Sequence, residues 1–239
     1  MNTPTAGHGS PALSLFCAFA LKRAVEQTIL PAYIAAGGAR VEAIYEPTFR
    51  LLARIESGAR PDVIAGITGT LTDLAGADIV MDPRPVARTG VGVAVPPGAA
   101  APDISTVEAF VSAVMGARSV AYSRSGPSGI YFAGLLEQLG IAEQVTARAT
   151  VVDSGPTAAA LLDGRADLAI HQLSELILVP GATIVGPFPE AIQEYTHFST
   201  ALGTTPQAAG GPELREFLHG PEAHTAYAAN GLEVFSEKA

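Results

Sequence analysis

Apolar and polar positions along the chain fall into two alternating patterns. Short apolar runs such as Leu13-Ser14-Leu15-Phe16-Cys17-Ala18, Val41-Glu42-Ala43-Ile44-Tyr45 and Asp62-Val63-Ile64-Ala65 read as buried strands. Between them the apolar residues recur at helical spacing. Residues 21–36 place Leu21, Val25, Ile29 and Leu30 on one face and stop at Gly37-Gly38. Residues 49–57 follow Glu46-Pro47-Thr48, with Pro47 at the first helical position, and stop at Gly58. Further along, the pattern predicts strands at 91–95, 119–122, 145–152, 167–171 and 196–202. It predicts helices at 128–139, 156–163, 214–218 and 221–229, and one opening near Ile104 with Ser105 and Glu108 as a capping box. Residues 1–11 read as a disordered lead.

Repeated strand–helix alternation with short connections predicts an α/β fold with a parallel sheet covered on both faces. Ligands of such sheets sit beyond the carboxyl ends of the strands. Those ends fall here at residues 17–20, 45–48 and 65–68. The Pro/Gly-rich stretches after Val95 and at Val185-Gly186-Pro187-Phe188-Pro189 mark two crossings between lobes. The expected division is 12–92 with 190–239 as lobe 1, and 93–189 as lobe 2.

Two stretches share one plan. Ser123-Arg124-Ser125-Gly126-Pro127-Ser128-Gly129 and Val152-Asp153-Ser154-Gly155-Pro156-Thr157 each run strand, turn, proline, hydroxyl residue, helix. Proline suits the first helical position, where a missing N–H costs nothing. The next residues present free N–H groups at an electropositive helix start, which binds anions. Ser128, Ser154 and Thr157 can add a hydroxyl, and Gly129 and Gly155 complete the turns. Simple helix capping by the same hydroxyls is the alternative, and the two roles are compatible.

Composition narrows the function. The chain has 239 residues, 48% hydrophobic and 15% charged, enough for one large domain or two lobes. Net charge is −9 with no basic stripe, which excludes a nucleic-acid surface. Cys17 is the single cysteine, so neither an intrachain disulfide nor a thiolate metal cluster is available. The histidines show no metal spacing with carboxylates, and no metal or cofactor is expected. No apolar run is long enough to span a membrane. The N-terminus lacks a signal-peptide pattern, so a cytoplasmic location is expected, or a periplasmic or extracellular one if a signal peptide has been removed.

The segments Leu51-Leu52-Ala53-Arg54-Ile55-Glu56-Ser57-Gly58-Ala59-Arg60-Pro61-Asp62-Val63, Pro127-Ser128-Gly129-Ile130-Tyr131 and Phe217-Leu218-His219-Gly220-Pro221-Glu222-Ala223 resemble the periplasmic molybdate-binding proteins. The resemblance covers roughly residues 13–236. It implies the type II periplasmic-binding-protein fold, two α/β lobes with a ligand cleft between them. Where that family usually carries a serine after the first strand, this chain has Ala20. In the second-strand loop only Thr48 offers a hydroxyl, and Gln172 stands where the family has a tyrosine. A branch that includes aconitate isomerase is more similar. It shares Arg88-Thr89-Gly90-Val91-Gly92-Val93-Ala94-Val95 and Gln172-Leu173-Ser174-Glu175-Leu176-Ile177-Leu178-Val179-Pro180-Gly181.

On this resemblance the expected ligand is a small di- or tricarboxylate. The expected substrate-binding residues are Ala20, Thr48, Arg88, Ser128, Gly129, Ser154, Gly155, Thr157 and Gln172. Arg88 can grip a carboxylate with its fork. Glu46 and His171 are the candidate bases for a cofactor-free proton shift. The alternative is a transport receptor for a carboxylate or oxyanion, with an ABC permease as partner if the chain is exported.

Overall fold

The computed structural model describes residues 11–153 and 155–235, so the expected lead at 1–11 lies almost wholly outside the described residues. Ten strands occur in chain order: β1 (Leu13–Ala18), β2 (Val41–Glu46), β3 (Val63–Ile67), β4 (Val80–Val95), β5 (Val120–Ser123), β6 (Thr150–Val152), β7 (Leu168–Gln172), β8 (Thr183–Pro187), β9 (Tyr195–Gly203) and β10 (Glu233–Val234). The chain forms two compact units, Met1–Val86 with Phe198–Ala226, and Ala87–His197 with Tyr227–Ala239.

In the first unit the strand order is β2-β1-β3-β9-β4. β1 lies parallel to β2 and to β3, with Cys17 opposite Tyr45 and Ala18 opposite Glu46. β9 closes antiparallel on β3. β1 is buried along nearly its whole length, as expected of a strand covered on both faces. Helix Thr48–Glu56 packs Leu51 and Ile55, four residues apart, against Phe16, Ile64 and Leu71. The expected helix at 21–36 is present but uneven. It runs as a 3₁₀ turn over Phe19–Leu21, α over Lys22–Ala24, a π turn over Val25–Ile29 and α again over Leu30–Ala35. Pro31 explains the wide turn: it lacks an N–H, and its ring crowds the carbonyl four residues back. Pro47 serves as the N-cap of its helix rather than as the first helical residue.

In the second unit β4 carries β7, β8 and β10, all antiparallel, while β5 lies parallel to both β7 and β6. Its core gathers Phe110, Phe132, Phe188, Val120 and Ile170. Three expectations change here. Residues 145–149 are not strand; helix Ala142–Thr146 occupies the start of that run, because Ile141 and Val145 bury at helical spacing. The helix expected at 156–163 shrinks to Ala159–Leu162. Helix Val107–Gly116 is capped not by Ser105 but by Thr106 Oγ1, which accepts from Ala109 N, while the Ser105 N–H donates to Asp103 Oδ1.

The unit boundaries also differ from the expected lobes. β4 and β9 each run unbroken from one unit into the other, so no loop marks the crossings at 86/87 and 197/198. Pro83 and Pro85 hid the first half of β4 from the sequence pattern. The C-terminal stretch goes with the second unit, where β10 pairs with β4 at Glu233 opposite Arg88.

Asp62, 2% exposed, fastens the first unit. Its carboxylate accepts from Ser14 N at 2.8 Å, from Ala208 N at 3.1 Å and from Gln207 N, tying β1 to the loop after β9. Asp62→Ala strands these donors and should lower stability by about 2–4 kcal/mol, the scale of charged hydrogen bonds lost together, in urea unfolding. His219 gives a pH signature. Its Nε2 lies 2.7 Å from Thr200 Oγ1. Burial, the main cause, holds its pKa below the ordinary histidine value, with Arg215 and Arg84 adding to the effect against Glu216. The unfolded chain therefore takes up this proton first. Stability should be level above about pH 6.5 and fall below it, and His219→Gln should flatten that fall in unfolding curves at pH 8 and pH 5.5.

Candidate functional site

Helix Pro127–Gln138 starts directly after β5, with Gly126 as its N-cap. Gly126 N–H donates to Ser123 Oγ at 3.0 Å and folds the turn back. A Cβ on Gly129 would lie 1.8 Å from the Ser123 carbonyl oxygen, so glycine is what lets the helix start come this close. Ser128 is 2% exposed, and its hydroxyl has no hydrogen-bond partner among the described residues. No acidic residue occupies the first turn. A buried hydroxyl without a partner calls for an explanation. At a helix start its natural complement is an anion, which the helix dipole also favours, although the N–H groups of Gly129, expected to be free, and of Ile130 both donate to Gly126 O at 3.0 Å.

The second turn lies alongside. β6 pairs with β5, Ser123 opposite Val152, and Arg124 N–H donates to Val152 O at 3.1 Å. Arg124 Nε donates to Asp153 Oδ1 at 2.7 Å. Ser154 lies outside the described residues. Gly155 takes φ +87°, which a side chain would strain. Thr157 is fully buried and its hydroxyl donates to Ile170 O at 3.1 Å. Its proton is thus engaged inside the unit.

At the end of β7, His171 and Gln172 are both buried. Gln172 Nε2 donates to Thr196 Oγ1 at 2.8 Å. His171 Nδ1 accepts from Gln172 N–H at 3.0 Å, which leaves the ring proton on Nε2, 3.6 Å from Glu175 Oε2. Arg88, on β4, donates through Nε to Glu233 Oε2 at 2.8 Å and lies over the Tyr195 ring at 3.9 Å. Its fork is already engaged by the chain itself.

In the first unit Ala20 is buried in the 3₁₀ turn after β1, and Thr48 opens its helix half-buried. Glu46 accepts from Arg54 Nε and Nη2, both at 2.7 Å. Those bonds hold its carboxyl below the usual range, with Arg54 and Arg50 charges assisting against a small burial effect. The carboxylate is turned along the helix towards Arg54, and with Arg50, Ala53 and Ser57 it lines an open groove.

Sequence reasoning missed several polar groups at these strand ends. Lys22 Nζ lies 5.7 Å from the Phe19 ring centre and 5.6 Å from that of Tyr45, with Glu26 at 3.7 Å. Burial pushes the Tyr45 phenol up, and its oxygen has no partner among the described residues. Thr68, at the end of β3, shares a 2.9 Å hydrogen bond with buried Ser199. Among the described residues no group of three His, Cys, Asp or Glu is placed to hold a metal.

The sequence profile of the bacterial extracellular solute-binding proteins matches residues 13–233. The chain belongs to that family. An aconitate isomerase from Pseudomonas sp is 31% identical over 215 residues, 85% of this chain and 81% of that one. The fold is shared with the periplasmic molybdate-binding protein of Azotobacter vinelandii, at TM-score 0.71 and 20% identity, covering 94% of this chain and 100% of that one. It is also shared with the substrate-binding domain of a putative molybdenum ABC transporter from Clostridium difficile, at TM-score 0.72 and 14% identity, covering 94% and 99%. This is the type II periplasmic-binding-protein fold expected from the sequence.

The helix start makes opposite predictions for two neighbouring substitutions. Ser128→Ala removes a hydroxyl that bonds nothing among the described residues, so urea unfolding without added anion should show stability unchanged or slightly raised. Gly129→Ala drives a methyl into the Ser123 carbonyl and should cost about 1–3 kcal/mol, the usual scale of overpacking, in the same measurement.

Proposed function

We propose that the protein binds a small organic di- or tricarboxylate at the start of helix Pro127–Gln138 and isomerises it by a cofactor-free proton shift, as an aconitate isomerase does. The observation that carries the binding is the buried Ser128 hydroxyl in the first turn of that helix, which has no hydrogen-bond partner among the described residues. Identity of 31% to an aconitate isomerase over most of both chains supports the chemistry. Donors holding a carboxylate there would stabilise the negative charge that spreads onto it when the neighbouring C–H loses its proton, which is then returned to the other end of the allylic system. The proton then needs a carrier. Glu46 is a weak base while Arg54 grips both its oxygens. His171 is the better carrier, because Glu175 stands 3.6 Å from Nε2 and would stabilise the imidazolium. Taking a proton on Nδ1 would require the bond from Gln172 N–H to open.

The second reading is a receptor that binds such an acid without converting it and hands it to an ABC permease. The family itself and the solved binding proteins that share the fold favour it.

Incubation with cis- or trans-aconitate in deuterated water, followed by NMR, separates the readings. Interconversion with deuterium in the product is the expected outcome. His171→Ala should then lower turnover by roughly 10²–10⁴-fold, the range for losing a general acid/base, with binding largely kept. Tight binding without conversion would leave the receptor reading standing. Molybdate binding with no response to any organic acid would overturn both.

A further inference from the structure

We infer that Arg124 is a second carboxylate grip beside the start of helix Pro127–Gln138, held ready by Asp153, and that it selects diacids over monoacids. The inference rests on the reading that this helix start receives a carboxylate. Gly129 presses the helix onto the carbonyl of Ser123, the residue immediately before Arg124. The Arg124 backbone is locked in turn by its N–H bond to Val152 O. The backbone of Arg124 is therefore fixed three residues before the first residue of the helix.

Its present partner is easily exchanged. Arg124 and Asp153 have side chains 68% and 77% exposed, and such solvated pairs contribute little to stability. A ligand carboxylate, partly shielded from water by the turn, offers the same chemistry in a stronger setting. The other arginines of this unit are anchored elsewhere. Arg118 and Arg165 pair with Asp167 and Asp163, Arg148 caps the carbonyl of Met115, and Arg88 is held by Glu233 and Tyr195. Asp153 does two things on this view. It keeps Arg124 extended across the two turns, and it discourages anions that cannot outcompete it. A monoacid gains only the helix start. A diacid gains the helix start and Arg124.

Fumarate and crotonate test this, because they share a skeleton and differ by one carboxylate. Affinities come from calorimetry, with thermal shift at high acid concentration for the weaker ligand. Arg124→Ala should weaken fumarate by about tenfold or more, the scale of a lost charge-assisted hydrogen bond, and leave crotonate within about twofold. Arg124→Lys should retain part of the preference. Asp153→Asn should tighten fumarate by up to about fivefold, the most an exposed pair would withhold, and not crotonate. If Arg124→Ala and Arg124→Lys shift both acids by the same factor, or neither, the selective role is wrong while the helix-start reading stands. If the unmutated protein binds fumarate, crotonate and trans-aconitate not at all, the helix-start reading fails first and this inference falls with it.

Discussion

The contact between Gly129 and the Ser123 carbonyl governs the part of the molecule that offers chemistry. Any side chain at 129 would collide with that oxygen. Because nothing does, the first turn of a twelve-residue helix sits hard against the end of β5. Three consequences follow from the one approach. The Ser128 hydroxyl is carried inside, where water cannot satisfy it. Gly126 can bond back to Ser123 and shape the turn. Arg124, one residue on, is fixed against Val152 on the neighbouring strand.

The helix start at Pro127 stands out against an acidic chain. Net charge is −9, yet the helix start carries no acidic residue in its first turn. Many cationic side chains are bound to carboxylates of the same unit, as in Arg54–Glu46, Arg84–Glu216 and Arg88–Glu233. These pairs are short and mostly solvated, so each adds little stability. Their larger effect is to keep guanidinium groups occupied. An acidic surface with occupied arginines repels stray anions, while oriented N–H dipoles at one helix start remain attractive at short range.

Much of this was legible in the sequence, for identifiable reasons. β1, β2 and β3 were visible as short apolar runs, and of these β1 and β3 are the buried ones while β2 stays half-exposed. The helix start at Pro127 was visible because proline and glycine act locally. What failed was decided by tertiary contacts. Residues 145–149 look like strand, but Val145 buries one turn after Ile141, and that packing sets the period. The first half of β4 was hidden by Pro83 and Pro85. Arg88 looked like a free cation, and nothing short of the β10 pairing could reveal Glu233 opposite it. Glu46 looked like a free carboxylate until the helix turned Arg54 back onto it.

Binding and catalysis make different demands on this fold, and the two strand-end groups nearest to acid/base chemistry show how small the difference is. A receptor needs an anion held still, which hydroxyls, N–H groups and an arginine provide without any proton moving. An isomerase needs in addition one group whose proton affinity can change during the reaction. His171 has the surroundings for that, an acceptor position on Nδ1 set by Gln172 and a carboxylate, Glu175, facing Nε2. In a pure receptor the same pair would serve only to fix the end of β7, and a neutral hydrogen-bonding side chain would do as well. The carboxylate is the informative partner, because an isomerase would use it and binding alone never requires it.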